Sequence, residues 1–196
     1  MKYISYFIFI SFIVLLLYFL KNALEPVKDP LYITGSDKCN ECHSLKNLGD
    51  QYSVWKKSKH SEAYSVLLSD KAKSFAVNNG INSPETDEKC LKCHSTEFSL
   101  KGTDKAKFYS ITEGVGCESC HGAGSKYSPA EIMKDENLFI SFGGVVGDSR
   151  TCKPCHSDKG NKEQVLKDNS CPFQQNDFDY KASLEKIKHP VNKDFK

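Results

Sequence analysis

The sequence has little of the chemistry that nucleic-acid-binding proteins use. Its only arginine is Arg150, which excludes an arginine cluster that would bind phosphates through paired hydrogen bonds. The formal net charge is +2 over 196 residues, which is too small to favour a nucleic acid as partner. We therefore expect no nucleic-acid partner.

Apolar core residues are also scarce outside the N-terminal segment. Hydrophobic residues make up 39% of the chain, and many of them fall within the first two dozen positions. The remaining chain is polar and too poor in aliphatic side chains to fill an ordinary core. Something other than side chains must supply apolar surface, and the fold should depend on it.

Cysteine, in contrast, recurs in one pattern. The pentapeptide C-x-x-C-H occurs four times and uses eight of the nine cysteines and four of the six histidines. The four copies supply the cysteine pairs Cys39 and Cys42, Cys90 and Cys93, Cys117 and Cys120, and Cys152 and Cys155, followed by His43, His94, His121 and His156. In c-type haem attachment, two such thiols add to the porphyrin vinyl groups and the histidine ligates the iron. We predict four covalently bound haem c groups, whose apolar macrocycles replace the missing core.

Two other uses of paired cysteines remain as alternatives. Paired C-x-x-C knuckles also build tetrahedral zinc sites, and exported domains often use cysteines in disulfides. A histidine directly after every second cysteine favours haem over zinc. Four identical short spacings with one cysteine left over suit disulfides poorly. We expect that ninth cysteine, Cys171, to be a free structural thiol, with an intermolecular disulfide or an unconventional ligand as the alternatives.

The N-terminal segment predicts export and membrane attachment. An apolar run from Tyr3 to Leu20 lies between Lys2 and Lys21 and is close to the minimum length of a spanning helix. We favour an uncleaved membrane anchor over residues 1–22, with a cleaved signal peptide as the alternative. Haem is attached outside the cytoplasm. The protein is therefore expected on the periplasmic side of the cytoplasmic membrane, either anchored there or secreted to the periplasm.

After the anchor we predict a linker at residues 23–35 and a tetrahaem domain at 36–196. The expected fold class is mainly α, with short helices and long loops packed around the four haems. Three stretches carry helix signals: about Ser53–Leu68, the capping box Ser128–Glu131, and about Asp179–Lys188.

Only two histidines, His60 and His189, remain as candidate distal ligands. His60 lies on the apolar stripe of the first predicted helix, and His189 precedes Pro190, which should end the last one. Two haems then lack a distal histidine. Met133 is a candidate ligand for one of them, although core packing is the favoured reading of this residue. Tyr127, a lysine amine or an open position with water are further candidates, so counting predicts at least one five-coordinate or weakly ligated haem.

Several segments resemble the cytochrome c-554 family of tetrahaem electron carriers. They are Trp55–His60, Gly114–Gly124, Ile132–Asp135, the fourth haem motif and Ile187–Pro190, and they follow the family's order from about residue 36 to the end of the chain. The resemblance implies a mostly helical fold with closely stacked porphyrins, and it implies that His60 and His189 are distal ligands. The family's best-known members accept electrons from hydroxylamine oxidoreductase and have three bis-histidine haems and one five-coordinate haem. This chain departs from that pattern because it lacks a third distal histidine.

We therefore expect an exported electron carrier that passes single electrons between redox partner proteins, rather than an enzyme. The alternative is a reductase for a small nitrogen oxide, such as nitric oxide or nitrite, which would bind at the open haem. No histidine remains to deliver protons in that reaction.

Overall fold

The computed structural model of the chain describes residues 6, 11–18, 30–156 and 179–190. The chain divides into two units, Met1–Pro30 and Leu31–Lys196. In the first unit, residues 11–18 are helical and their side chains are exposed. Among the described residues, no helix combines the length and the apolar composition needed to cross a bilayer. Most of the predicted anchor and linker, like Cys171, lies outside the described residues, so these assignments stay predictions.

The second unit is built from short helices. They are α1 (Ser36–His43), α2 (Gln51–Lys56), α3 (Ala63–Leu67), α4 (Asp70–Asn78), α5 (Glu88–His94), α6 (Thr96–Ser99), α7 (Cys117–His121), α8 (Ala130–Met133), α9 (Glu136–Ser141), α10 (Ser149–His156) and α11 (Tyr180–Ile187). Single 3-10 turns occupy Lys46–Leu48 and Ile111–Glu113. Two short parallel strands, β1 (Tyr32–Ile33) and β2 (Asp104–Lys105), pair with each other. The mainly α fold class is confirmed.

Each haem motif forms the end of a helix. Helices α1, α5, α7 and α10 end at the motif histidines His43, His94, His121 and His156. Within a helix, residues three positions apart lie on the same face, so the two cysteines of each motif share one side. The capping side chain of Asp87, which accepts the backbone N–H of Lys89, sets the start of α5.

The predicted helix Ser53–Leu68 is wrong, because the chain turns between α2 and α3. The Ser61 hydroxyl donates to the carbonyl oxygens of Lys56 and Ser58, at 2.8 and 2.9 Å, and so competes with the helical hydrogen bonds. The backbone N–H of Val115 also donates to the carbonyl of His60 at 2.9 Å. His60 therefore lies in a turn and not on a helical stripe.

The capping-box prediction is also wrong in detail. The N-cap of α8 is Pro129 and not Ser128, and the helix ends after one turn at Met133. Asp135 then starts α9 by accepting the backbone N–H groups of Asn137 and Leu138. The last predicted helix is confirmed as α11, which Asp179 caps. Helix α4 was not predicted.

The described core is small, as the shortage of aliphatic residues predicted. Its buried hydrophobic residues are Ile33, Leu67, Ala72, Ala76, Ile81, Leu91, Ala123 and Tyr127. Three of these are alanines, so the described side chains bury little apolar area.

A buried carboxylate joins the first and third haem motifs. Glu118, inside the third motif, is 1% exposed. Its Oε1 accepts the backbone N–H groups of Thr34 (2.8 Å) and Gly124 (2.6 Å), and its Oε2 accepts that of Gly35 (2.7 Å). Glu118 thereby fixes the chain just before α1 against α7.

Candidate haem sites

The haem motifs lie together in pairs. The thiols of Cys39 and Cys117 are neighbours, and the interaction between them raises the pKa of Cys39 and lowers that of Cys117. In the same way a hydrogen bond with Cys155 lowers the pKa of Cys93 to about 7. The first motif is thus beside the third, and the second is beside the fourth.

A further contact links the two pairs. Burial raises the pKa of the Cys120 thiol to about 11, and the nearby Cys152 contributes to that shift. The third motif therefore also neighbours the fourth, and the four motifs form one connected series.

The motif histidines present Nε2 for metal binding. Nδ1 of His94 lies 2.6 Å from the carbonyl oxygen of Ala63, and Nδ1 of His121 lies 2.9 Å from that of Val145. A carbonyl oxygen only accepts, so Nδ1 carries the proton in both rings and Nε2 keeps its lone pair. Metal-ligating histidines commonly donate their other N–H to the protein in this way.

Each candidate distal histidine faces one motif histidine. The ring centroids of His60 and His156 are 5.9 Å apart, and those of His121 and His189 are also 5.9 Å apart. Metal–imidazole bonds are about 2 Å long, so both rings of either pair can reach one metal ion between them. The structure thus pairs His60 with the fourth motif and His189 with the third.

Three of the paired imidazoles have a lowered pKa, which favours the neutral form that binds metals. Burial lowers the pKa of His60, and the nearby His156 lowers it further. Burial likewise lowers the pKa of His156 and of His189. A neutral imidazole has the lone pair that iron requires, so the lowered pKa of these three rings favours ligation.

Backbone packing around Gly114 positions His60. A Cβ at Gly114 would lie 2.6 Å from the carbonyl oxygen of His60, and the backbone there has a φ of +78°. The indole Nε1 of Trp55 donates to the carbonyl of Val115 at 2.8 Å, which fixes α2 to the same segment. The glycine before the third motif therefore lets its backbone approach that of His60, and Trp55 helps to hold the two segments together.

The other two motif histidines, His43 and His94, are the ones left without His60 or His189. Met133 is half-buried at the end of α8, and its role as a ligand stays a prediction. Tyr127 donates its hydroxyl to the carbonyl of Gly122 at 2.7 Å, and burial raises its pKa. Both features disfavour Tyr127 as a phenolate ligand for iron.

The residues present fit haem better than zinc. The eight motif cysteines and the two histidine pairs match the donors of c-type haem, with thiols at one edge and imidazoles on the axis. Within residues 30–156 and 179–190, and in the described N-terminal residues, no group of three or more His, Cys, Asp or Glu side chains could hold a metal ion. A tetrahedral zinc site needs such a group.

Comparison with known proteins finds a family model that matches part of the motif-bearing region. Residues 38–122 match the family model described as cytochrome c554 and c-prime. Over these residues the chain is similar to the cytochrome c-554 family. The matched range contains the first three motifs and His60, whereas the fourth motif and His189 lie beyond it.

A curated relative agrees with this assignment. Cytochrome c-554 of Nitrosomonas europaea is 34% identical over 97 residues, which cover 47% of this chain and 39% of the relative. The match therefore spans well under half of the relative's length. No solved structure matches the chain. Both comparisons support the predicted resemblance to the cytochrome c-554 family and, with it, c-type haem as the cofactor class.

Sequence reasoning missed two polar side chains at these sites, Glu118 and Gln51. Glu118 occupies a variable position of the third motif, and Gln51 begins α2, where its Oε1 lies 3.1 Å from Nδ1 of His43. Neither position had a spacing signal, because both act on backbone groups distant in sequence.

Proposed function

We propose that this protein is a tetrahaem c-type cytochrome that carries single electrons between redox partner proteins. The observation that supports it most is the presence of two pairs of facing imidazoles, His60 with His156 and His121 with His189. Bis-histidine ligation suits electron transfer because it leaves no position for substrate. Bound haem would supply the one-electron chemistry, and the chain fixes its position and surroundings.

The contacts between motifs support one order of electron transfer. The first motif is beside the third through Cys39 and Cys117, and the second is beside the fourth through Cys93 and Cys155. The third and fourth are linked in turn near Cys120 and Cys152. Electrons would pass in the order first, third, fourth, second motif or its reverse, with the two ends at the haems that lack a paired histidine.

Reduction of a small nitrogen oxide is the second candidate function. It is favoured by the same pairing, in which the ring contacts of His60 and His189 are with His156 and His121 rather than with the histidines of the first two motifs. A haem at either position could take a small ligand such as nitric oxide. We place the electron carrier first, because an axial position open to a ligand is not by itself a catalytic site.

We further propose that the protein works on the periplasmic side of the cytoplasmic membrane, held there by residues 1–22. The apolar run between Lys2 and Lys21 and the need to attach haem outside the cytoplasm support this location. Fractionation of cells that produce the full chain tests it. Release of the protein by osmotic shock alone, without detergent, would favour the cleaved alternative.

The haem number can be measured on the full chain matured in a host that attaches haem c. We expect four haems per polypeptide by the pyridine haemochrome assay and by protein mass, and reversible reduction of all four. Fewer than four haems, or haems that a small redox protein cannot reduce and reoxidise, would contradict the proposal. Turnover of nitric oxide or nitrite, measured on the same sample, would instead support the reductase.

A further inference from the structure

The side-chain amide of Gln51 connects two haem sites that lie far apart in the sequence. Gln51 is 9% exposed. Its Nε2 donates to the carbonyl oxygens of Leu48 at 2.5 Å and Pro190 at 2.8 Å, and its Oε1 lies 3.1 Å from Nδ1 of His43. Every polar atom of this buried amide therefore has a partner.

The two carbonyl groups decide the orientation of the amide. A carbonyl oxygen only accepts hydrogen bonds, so both Leu48 and Pro190 require the NH2 group of Gln51. A flipped amide would place its oxygen against two other oxygens and leave two donors facing His43. The amide oxygen of Gln51 must therefore face His43.

This orientation also decides the tautomer of His43. An amide oxygen is an acceptor, so Nδ1 of His43 carries the proton and Nε2 keeps the lone pair that iron needs. At His94 and His121 the backbone carbonyls of Ala63 and Val145 accept the Nδ1 proton. At His43 the amide oxygen of a side chain accepts it instead.

The same amide holds the segment that carries His189. Pro190 directly follows His189, whose ring faces His121. At Gly49 the φ is +111°, and a Cβ there would overlap the carbonyl oxygen of Pro190. The loop between α1 and α2 thus contacts the 189–190 segment directly, and the Gln51 hydrogen bond is the polar part of that contact.

We propose that Gln51 is a positioning residue for two haems at once. It holds His43 in the iron-binding tautomer at the first motif, and it fixes the Pro190 backbone so that His189 stays opposite His121 at the third. This inference rests on the haem-binding function proposed above. A single amide would then couple the ligation of the two neighbouring haems.

Two substitutions of similar size separate the two roles. Gln51→Met removes every hydrogen bond, and Gln51→Glu keeps an acceptor for His43 but cannot donate to Leu48 or Pro190. An anionic acceptor makes the imidazole a stronger donor to iron, and loss of the acceptor makes it a weaker one. The reduction potential of one of the two haems without a paired histidine should therefore fall in Gln51→Glu and rise in Gln51→Met.

Both substitutions should weaken the bis-histidine signal of the third haem in electron paramagnetic resonance, because Pro190 loses its donor in each. In a His189→Ala background, which already lacks that ligand, neither should reduce the bis-histidine signals further. Tyr52→Phe is the matched control: it removes an exposed hydrogen bond to Asp37 from the same helix and should leave potentials and spin states unchanged.

The proposal is overturned if both Gln51 variants move that potential in the same direction, or if they behave like Tyr52→Phe. A purely structural role would give a common direction in both. Haem content of each variant is measured first. If Gln51→Met takes up less haem, the comparison of Gln51→Glu with Tyr52→Phe still decides the outcome. A Gln51→Glu protein with the wild-type reduction potential and the wild-type bis-histidine signal would refute the inference. A wild-type protein without four haems would contradict the proposed function instead.

Discussion

Replacing Glu118 should destabilise the haem-loaded protein far more than its position in a motif linker suggests. Its carboxylate accepts three backbone N–H groups, from Thr34, Gly35 and Gly124, at 2.6 to 2.8 Å. In Glu118→Ala all three donors lose their partner. At about 1–3 kcal/mol for each buried unpaired donor, the loss is about 3–9 kcal/mol. That is comparable with the whole stability of a typical domain, about 5–15 kcal/mol.

A milder variant keeps this prediction measurable. Glu118→Gln preserves the shape, but its NH2 group must face at least one backbone donor, so we expect a loss of about 1–3 kcal/mol. The matched control is Glu41→Gln, at the corresponding linker of the first motif. Glu41 is exposed and pairs with Lys38 at 2.5 Å on the surface.

Urea unfolding of the three haem-loaded proteins, followed by the Soret band and by circular dichroism, measures these differences. We expect Glu41→Gln to match the wild type and Glu118→Gln to unfold at clearly lower urea. Equal midpoints for the two variants would refute the reasoning, because they would mean that the buried hydrogen bonds of Glu118 contribute no stability.

Three further predictions concern the elements around His60 and the first motif. Gly114→Ala should lower the unfolding free energy by about 1–3 kcal/mol and convert one haem to high spin in electron paramagnetic resonance. The control Gly102→Ala, where the φ is +84° and the space around the residue is open, should keep the wild-type spectrum. Trp55→Phe should lose about 1 kcal/mol in urea unfolding through the missing bond to Val115, and unchanged stability would contradict that bond. Burial raises the pKa of Glu113, so its stabilising contribution is present below the unfolded pKa of about 4.3 and is lost as pH rises through the higher folded pKa. The unfolding free energy of the wild type should therefore fall relative to Glu113→Gln above about pH 4, and a constant difference from pH 4 to 8 would contradict this sign.

The haem motifs and the family could be predicted from the sequence because their chemistry depends on local spacing. The three-residue separation of Cys117 and Cys120, followed by His121, needs no tertiary contact to be recognised. The end of α11 before His189 was predictable for the same reason, since the Pro190 ring acts on its direct neighbour.

The parts that failed depend on contacts distant in sequence. The turn at His60 forms because Val115 takes the carbonyl of His60 and Ser61 competes for nearby carbonyls, and neither effect appears in apolar periodicity. The pairing of His60 with His156 likewise requires that the turn at His60 meets the end of α10, which is distant in sequence. The roles of Glu118 and Gln51 could not be predicted, because their partners lie 83 and 139 residues away.

The most direct test of the account is a count of bis-histidine haems in the oxidised, haem-loaded full chain. Electron paramagnetic resonance combined with near-infrared magnetic circular dichroism distinguishes such haems from histidine–methionine and high-spin ones. We predict two bis-histidine haems in the wild type, one in either His60→Ala or His189→Ala, and none when both histidines are replaced. Bis-histidine signals that persist in the double variant, at full haem content, would contradict the pairing of His60 with His156 and of His189 with His121.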